Sequence, residues 1–441
     1  MLPLSSLSHD LDQELFADGM TEALITDLGK INSLRLISHT SVNHYKGSKL
    51  PIPEIAKALQ VDAIVEGTVM WSGGRSRVTA NLIQAHPEKH LWAEAYERDL
   101  RDVLTIQDEI ARSIAYEVQA KSLPGNVARP VLVNPEAYQE YLWGYRLFEG
   151  FTWDGEHNAL RHLDRAIRLD PNFAPAYATR AEVYIPLVSW GAIPPRESLA
   201  KAEADARKAL SLDDTMADAH IGMAAVHVMR TEWSEAEREF QRALALNPNH
   251  YIAHDWHGYL LGDIGNHDGE MAEIKLSCRL DPVTEFPHKS LGAVYLETGR
   301  YTEAIAEAQK ALELSPAFGV ARWVLARAYE AQKDYPEAIA EFGKLGDSVD
   351  QAHAYAISGN KGKARAILRN LQHQAKTQYI SHTGLALVLL GLGDNNKAIA
   401  ELEKADQNGE PFDYMNQDSR FNPLRANPRY VTLLRGHGLI P

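Results

Sequence analysis

The sequence predicts an α+β chain in two parts, a small α/β sandwich domain followed by an α-helical superhelix of stacked hairpins. Three observations predict it. Leu212, Leu246, Leu280 and Leu314 recur every 34 residues, and Pro248, Pro282 and Pro316 keep the same interval. Residues 1–122 lack that period and hold β-rich runs around Gly73-Gly74. The hydrophobic fraction of 45% and charged fraction of 24% are those of an ordinary globular chain, so both parts have the material for a packed core.

An interval of 34 residues is the tetratricopeptide period. The internal pattern agrees with it. First-helix positions read His288, Leu291-Gly292, Tyr295, then Arg322, Leu325-Ala326, Tyr329, and earlier Tyr177, Arg180-Ala181, Tyr184. Second-helix positions read Ala236, Phe240, Pro248 and Ala304, Ala308, Pro316, with Ala338 and Phe342, and Ala398 and Leu402, following suit. Small residues such as Gly292 and Ala304 let antiparallel helices approach, and the large ones form the stripe each hairpin buries. Proline at the exit ends the second helix because it lacks the N–H a helix needs. Pro336 stands at a helix entry, where that loss is harmless. The array is read over 135–408 as about eight hairpins of an α-helical tetratricopeptide-repeat superhelix. The first carries Trp143-Gly144 and Ala159, and the second an insertion from Pro186 to Glu197. The fourth has Glu270 where alanine is expected, and the seventh is shortened around Gln351 to Leu371. Residues 409–441, with Tyr430, Leu433, Leu434 and Leu439, are read as a cap on the last hairpin.

The amino-terminal domain, 1–122, is read element by element. Leu2 to Leu4 is a strand candidate, and Phe16, Met20, Leu24 and Leu28 mark a helix closed by Gly29. Leu34 to Ile37 reads as a strand, and Pro53 opens a short helix with Ile55 and Leu59. Ala63 to Trp71, the Gly73-Gly74 turn and Val78 to Ala85 form a hairpin, with Leu91 to Tyr96 as a further strand. Thr105-Ile106-Gln107-Asp108 reads as a capping box that starts a helix with Ile106, Ile110, Ile114 and Val118 on one face. The order is β-α-β-α-β-β-β-α, and 123–134, with Pro124-Gly125, is the linker.

A specific set of segments then comes into view. It comprises Phe16-Ala17-Asp18-Gly19-Met20-Thr21-Glu22, Ile37-Ser38 with Thr40-Ser41, Tyr45-Lys46-Gly47, Val65-Glu66-Gly67 and His90-Leu91-Trp92-Ala93-Glu94. With these the chain resembles the FlgO-like, TolB amino-terminal-like domain joined to tetratricopeptide repeats. The resemblance covers essentially the whole chain. It implies a bacterial signalling module that stands behind an effector: a winged-helix DNA-binding domain of CadC-like regulators, a serine/threonine kinase or a nucleotide cyclase. It assigns no catalytic residue. Nothing precedes the first strand here, so the effector is expected to be lost, to lie in a longer parent or to act from a separate protein.

Charge and motif content narrow the function classes. The net charge of -14 argues against a surface that tracks phosphates, so no direct nucleic-acid binding is expected. Cys278 is the only cysteine, which excludes an intramolecular disulfide and disfavours a cysteine zinc site. No basic-then-apolar leader and no bilayer-length apolar run occur, so a cytoplasmic protein is expected. His250, His254, Asp255, His257 and His267 form an eye-catching cluster that metal sites sometimes use. The competing reading is packing between hairpins, because His220, His254, His288 and His382 all occupy the fourth repeat position. Asp18-Gly19 reads as a turn and helix cap. No P-loop, dinucleotide, hydrolase or kinase signature occurs, so no catalytic residue, cofactor or metal is assigned. Stacked hairpins present a groove lined by first helices, suited to a peptide or protein partner. The inward second, fifth, ninth and twelfth positions give Glu182, Asp255, Tyr259, Lys289, Trp323, Arg327 and Glu330 as candidate partner contacts.

Overall fold

In the computed structural model, residues 1–440 are described apart from 9, 73, 119–132, 151 and 347. Strands β1 (Ser5–Ser6), β2 (Ala63–Ser72), β3 (Arg75–Ala85) and β4 (Glu88–Asp99) form one sheet in the order β1-β2-β3-β4. β1 runs parallel to β2, and the other pairs are antiparallel. Helices α1 (Leu11–Gly29) and α4 (Val103–Glu117) cover it, since Phe16, Met20, Leu24, Ile106 and Ile110 share a core with Val69, Val78 and Leu82. The short helices α2 (His39–Asn43) and α3 (Ile52–Leu59) close a second core with Ile64 and Ala85.

Four local expectations are corrected. The first strand is at Ser5–Ser6 rather than Leu2 to Leu4, although Leu2 N still donates to Val65 O at 2.7 Å. Leu34 to Ile37 joins no sheet, because its backbone bonds go elsewhere: Leu36 N donates to Asn249 Oδ1 at 3.0 Å, and the next residue's amide, Ser38 N, to Leu280 O at 2.8 Å. Helix α4 begins at Val103, ahead of the Thr105 box, because a 3-10 turn at Leu100–Asp102 capped by Asp99 leads straight into it. Asp18-Gly19 is no cap. Both lie inside α1, whose cap is Asp10, and Gly19 is small because a Cβ there would fall 2.1 Å from Leu142 Cδ2. Of the linker read at 123–134, all but Val133 and Asn134 lie outside the described residues.

Sixteen helices follow as eight antiparallel pairs among the described residues. They are α5 (Pro135–Glu149) with α6 (Trp153–Leu169), α7 (Ala174–Ser189) with α8 (Pro195–Leu212), α9 (Ala217–Met229) with α10 (Trp233–Leu246), and α11 (Tyr251–Asp263) with α12 (His267–Leu280). Then come α13 (Glu285–Glu297) with α14 (Tyr301–Leu314), α15 (Gly319–Ala331) with α16 (Tyr335–Leu345), α17 (Ser348–Ile357) with α18 (Lys361–Gln374), and α19 (His382–Leu392) with α20 (Asn395–Asn408). The chain ends in 3-10 turns at Asp413–Asn416 and Ser419–Leu424 and in α21 (Pro428–Gly436).

The fourth-position histidines are clamps within hairpins, which corrects the reading of packing between them. Each gives its Nδ1 to a glutamate 19 residues on: His220 to Glu239 at 2.6 Å, His254 to Glu273 at 2.5 Å, His288 to Glu307 at 2.6 Å and His382 to Glu401 at 2.6 Å. Arg322 does the same to Glu341 at 2.7 Å. The first hairpin reverses the pair, with Glu140 on α5 and His162 on α6 2.7 Å apart. His257 also reaches Glu237 at 3.0 Å, so the histidine cluster is spent on carboxylates. Burial would raise Glu273, but the bonds from His254 and His257 outweigh it and hold its carboxyl down at about 2. Glu270, fully buried in its alanine slot, accepts from His267 Nδ1 at 3.0 Å.

Candidate partner-binding face and interdomain cleft

The first helices of the hairpins form one face, and the small domain docks on it. Asp281 follows α12, in the slot before Pro282, and is fully buried. Its Oδ1 accepts from Ser38 at 2.5 Å, Ser41 at 2.5 Å and Thr40 at 3.0 Å, so three hydroxyls of α2 and its cap converge on one carboxylate. Asn249 ties the same domain down by donating to Gly29 O at 2.9 Å. A residue type common at helix exits has become an anchor for a segment some 240 positions away.

The carboxy-terminal tail occupies another part of the face. Phe412, Phe421, Leu424 and Tyr430 are fully buried in one core with α19 and α20. Asp418 pairs with Arg327 at 2.8 Å and Arg420 at 2.6 Å, and Arg420 also pairs with Asp350. Burial works to raise the Asp418 carboxyl, but the two guanidiniums hold it well below the usual carboxylate range. Gln417 reaches Asp263 at 3.3 Å.

The seven inward residues stand as follows. Trp323 Nε1 donates to Asp350 Oδ2 at 2.9 Å, Arg327 pairs with Glu330 and Asp418, and Glu330 accepts from His353 at 2.5 Å. Lys289 Nζ meets Asp255 at 3.2 Å and Tyr259 Oη at 3.0 Å, and lies 4.0 Å from the centre of the Phe286 ring. Glu182 is half-buried on α7, and burial, helped by Asp218, raises its carboxyl well above the ordinary range. The structure therefore brings Asp255, Tyr259 and Lys289 into one group and Trp323, Arg327 and Glu330 into another. Those six candidate partner contacts are also engaged by the chain's own side chains.

A cleft of about 290 Å³ lies between α2 and the first-helix face, lined in part by Arg146, Glu149, Tyr251, Glu285, Phe286 and Phe318. His39 forms its wall with Glu149. His39 Nδ1 lies 3.2 Å from Glu149 Oε1 and 3.3 Å from Glu22 Oε2. Burial would lower the imidazole, but the two carboxylates outweigh it and push it up to about 9. Burial raises Glu22 despite His39. Tyr145 donates to Glu22 Oε1 at 3.1 Å and fixes the carboxylate's orientation.

A family model described as tetratricopeptide repeat matches residues 295–360. The helical array is built of tetratricopeptide repeats. A Rhizobium meliloti (strain 1021) protein named "Putative adenylate cyclase 3" is 31% identical over 242 residues, 54% of this chain and 41% of that protein. The chain thus spans less than half the length of that relative. Among solved structures, a thermophilic tetratricopeptide protein of Thermus thermophilus is 19% identical with a TM-score of 0.37, over 45% of this chain and 99% of that one. Human IFIT1 is 14% identical with a TM-score of 0.49, over 92% and 98%. No helix among the described residues is long and apolar enough to cross a membrane.

The cleft residues escaped the sequence reading for a definable reason. Phe286 stands at a second position of the tetratricopeptide repeat, an inward slot by the rule that named Lys289, so its signal was present. Tyr251 and Glu285 stand at first positions, which that rule omits. His39, on α2, follows no period at all.

Proposed function

We propose that this chain is a non-catalytic interaction and sensory module of a bacterial signal-transduction protein, and that it binds a peptide or protein segment on its tetratricopeptide face. The observation that carries the reading is the cleft. It combines aromatic rings, Tyr251, Phe286 and Phe318, with charges of both signs, Arg146 and Glu285, in one recess. Aromatic and arginine side chains in one recess are the residue types that dominate binding energy. Direct contact is assigned to Arg146, Tyr251, Glu285 and Phe286. Asp255, Tyr259 and Lys289 support them from behind, and Trp323, Arg327 and Glu330 seat the tail. The cyclase-named relative, more than twice the length of its matched part, supports a setting in which such a module accompanies an effector. The module itself acts through α2 and the repeats, without catalytic residues or a DNA contact of its own.

The test is affinity capture from bacterial extract with the full chain, in parallel with Arg146→Glu/Tyr251→Ala and with His288→Gln. A partner retained by wild type and His288→Gln but lost from the double variant supports the cleft. The same proteins captured by all three chains contradict it.

A further inference from the structure

Glu22, His39 and Glu149 come from α1, α2 and α5, so they meet only where the small domain touches the first hairpin. Among the described residues they are the one group of three histidine, cysteine or carboxylate side chains whose ligand atoms all lie within 4.8 Å of one another. His39 is 6% exposed, and its Nε2 has no hydrogen-bond partner. Glu22 Oε2 is likewise buried without a hydrogen bond, although Tyr145 satisfies the other oxygen.

A charged histidine between two glutamates does not satisfy this arrangement. One Nδ1–H is given to one acceptor, and Glu149 Oε1 at 3.2 Å takes it. Glu22 Oε2, 3.3 Å away, is left as a buried oxygen without a hydrogen bond. The neighbouring cations are engaged elsewhere: Lys46 pairs with Asp18 at 2.6 Å, and Arg146 lies 3.7 Å from the same carboxylate. A cation in the centre would meet all three donors at once. Ligand atoms around a tetrahedral ion with bonds of about 2.1 Å stand roughly 3.4 Å apart, close to the 3.2 and 3.3 Å between His39 Nδ1 and the two carboxylates, which themselves lie within 4.8 Å of each other. One imidazole and two carboxylates give a neutral set with a divalent ion of the zinc or manganese kind. Supporting contacts are in place too. Asp281 holds α2 through the hydroxyls that flank His39, and Tyr145 orients Glu22. The group borders two recesses, of about 70 and 290 Å³, so an ion and its water have a path in.

We infer that Glu22, His39 and Glu149 form a binding site for a first-row divalent cation, which bridges the small domain and the first hairpin. The cation takes the place of the proton on His39 Nδ1, and the remaining coordination positions face the cleft and hold water or a carboxylate of an incoming ligand. The inference is independent of the peptide reading, since loss of partner capture leaves metal binding untouched.

The experiment is calorimetric titration of the EDTA-treated full chain with zinc chloride and, separately, manganese chloride. Wild type is expected to take up one equivalent of zinc and to melt at a higher temperature with it. Glu149→Gln, which keeps size and hydrogen bonding, is expected to weaken binding at least tenfold, and His39→Gln to abolish it together with the thermal shift. His257→Gln, in the clamp network, keeps the site. No saturable uptake of either metal by wild type, or equal uptake by wild type and Glu149→Gln, overturns the inference. Circular dichroism checks folding, and Glu149→Gln decides the matter should His39→Gln not fold.

Discussion

Two sets of charged contacts run through this molecule under different rules. Within the hairpins, His220, His254, His288 and His382 each meet a glutamate 19 residues on, and each pair keeps at least one partly exposed partner. On the first-helix face, Asp281 gathers three hydroxyls from α2 and its cap, and Asp418 bridges Arg327 and Arg420, with both carboxylates buried and neither arrangement repeated. The repeated clamps are local and hold one hairpin to itself. The unrepeated contacts join segments far apart in sequence and give the array its individual shape. Part of the first-helix face is covered by the chain's own small domain and tail, and a cleft lies beside the small domain.

That contrast is sharpened most by Asp418→Ala. It leaves two buried guanidiniums without their shared carboxylate, and a loss of about 3–5 kcal/mol in urea unfolding is expected. Asp281→Ala removes the acceptor of Ser38, Thr40 and Ser41, at about 3 kcal/mol. Hydrogen exchange is expected to show α2 released while α11 and α12 stay protected. Release of neither places the hold on α2 elsewhere.

A smaller effect concerns pH. Asp413 of the tail, beside Asp263 at the end of α11, is pushed up to about 6 by burial. A carboxyl raised in the folded state stabilises fully below its ordinary value near 3.8, and that contribution is lost as pH rises through 6. Protection factors of tail amides, which take out the intrinsic slowing of exchange in acid, are therefore expected to rise as pH falls from 7 to 5, and Asp413→Asn to weaken that rise. The smallest effect is at the clamps. His288→Gln breaks a partly exposed pair and should cost about 0.5 kcal/mol, readable as a slight fall in melting temperature. A loss as large as that of Asp418→Ala would erase the distinction between the two sets.

The legible part of the fold is the periodic part. Leu212 to Leu314 and the exit prolines mark hairpins because every hairpin solves the same packing problem with the same residue types. Glu270 stood out in the sequence as a departure from alanine, and the structure shows it buried and paired with His267. Leu34 to Ile37 looked like a strand because its apolar alternation suits a strand as well as a docked segment. What sends it to the repeats is a pair of bonds to Asn249 and Leu280, which no local pattern announces. The cleft is illegible for the same reason, since His39, Arg146, Tyr251 and Glu285 are neighbours only after the small domain has docked. Trp323 and Arg327 were identifiable as inward residues, but the tail that covers Arg327 begins some 80 positions later.

The most direct test of this account is hydrogen exchange of the full chain at neutral pH, followed by mass spectrometry. The account predicts that amides of α2 and of the tail around Met415 to Leu424 exchange as slowly as those of α11, because both segments are packed on the first-helix face. Exchange of either segment as fast as the exposed turn at Ser358 to Asn360 would contradict it and return that part of the face to an open groove.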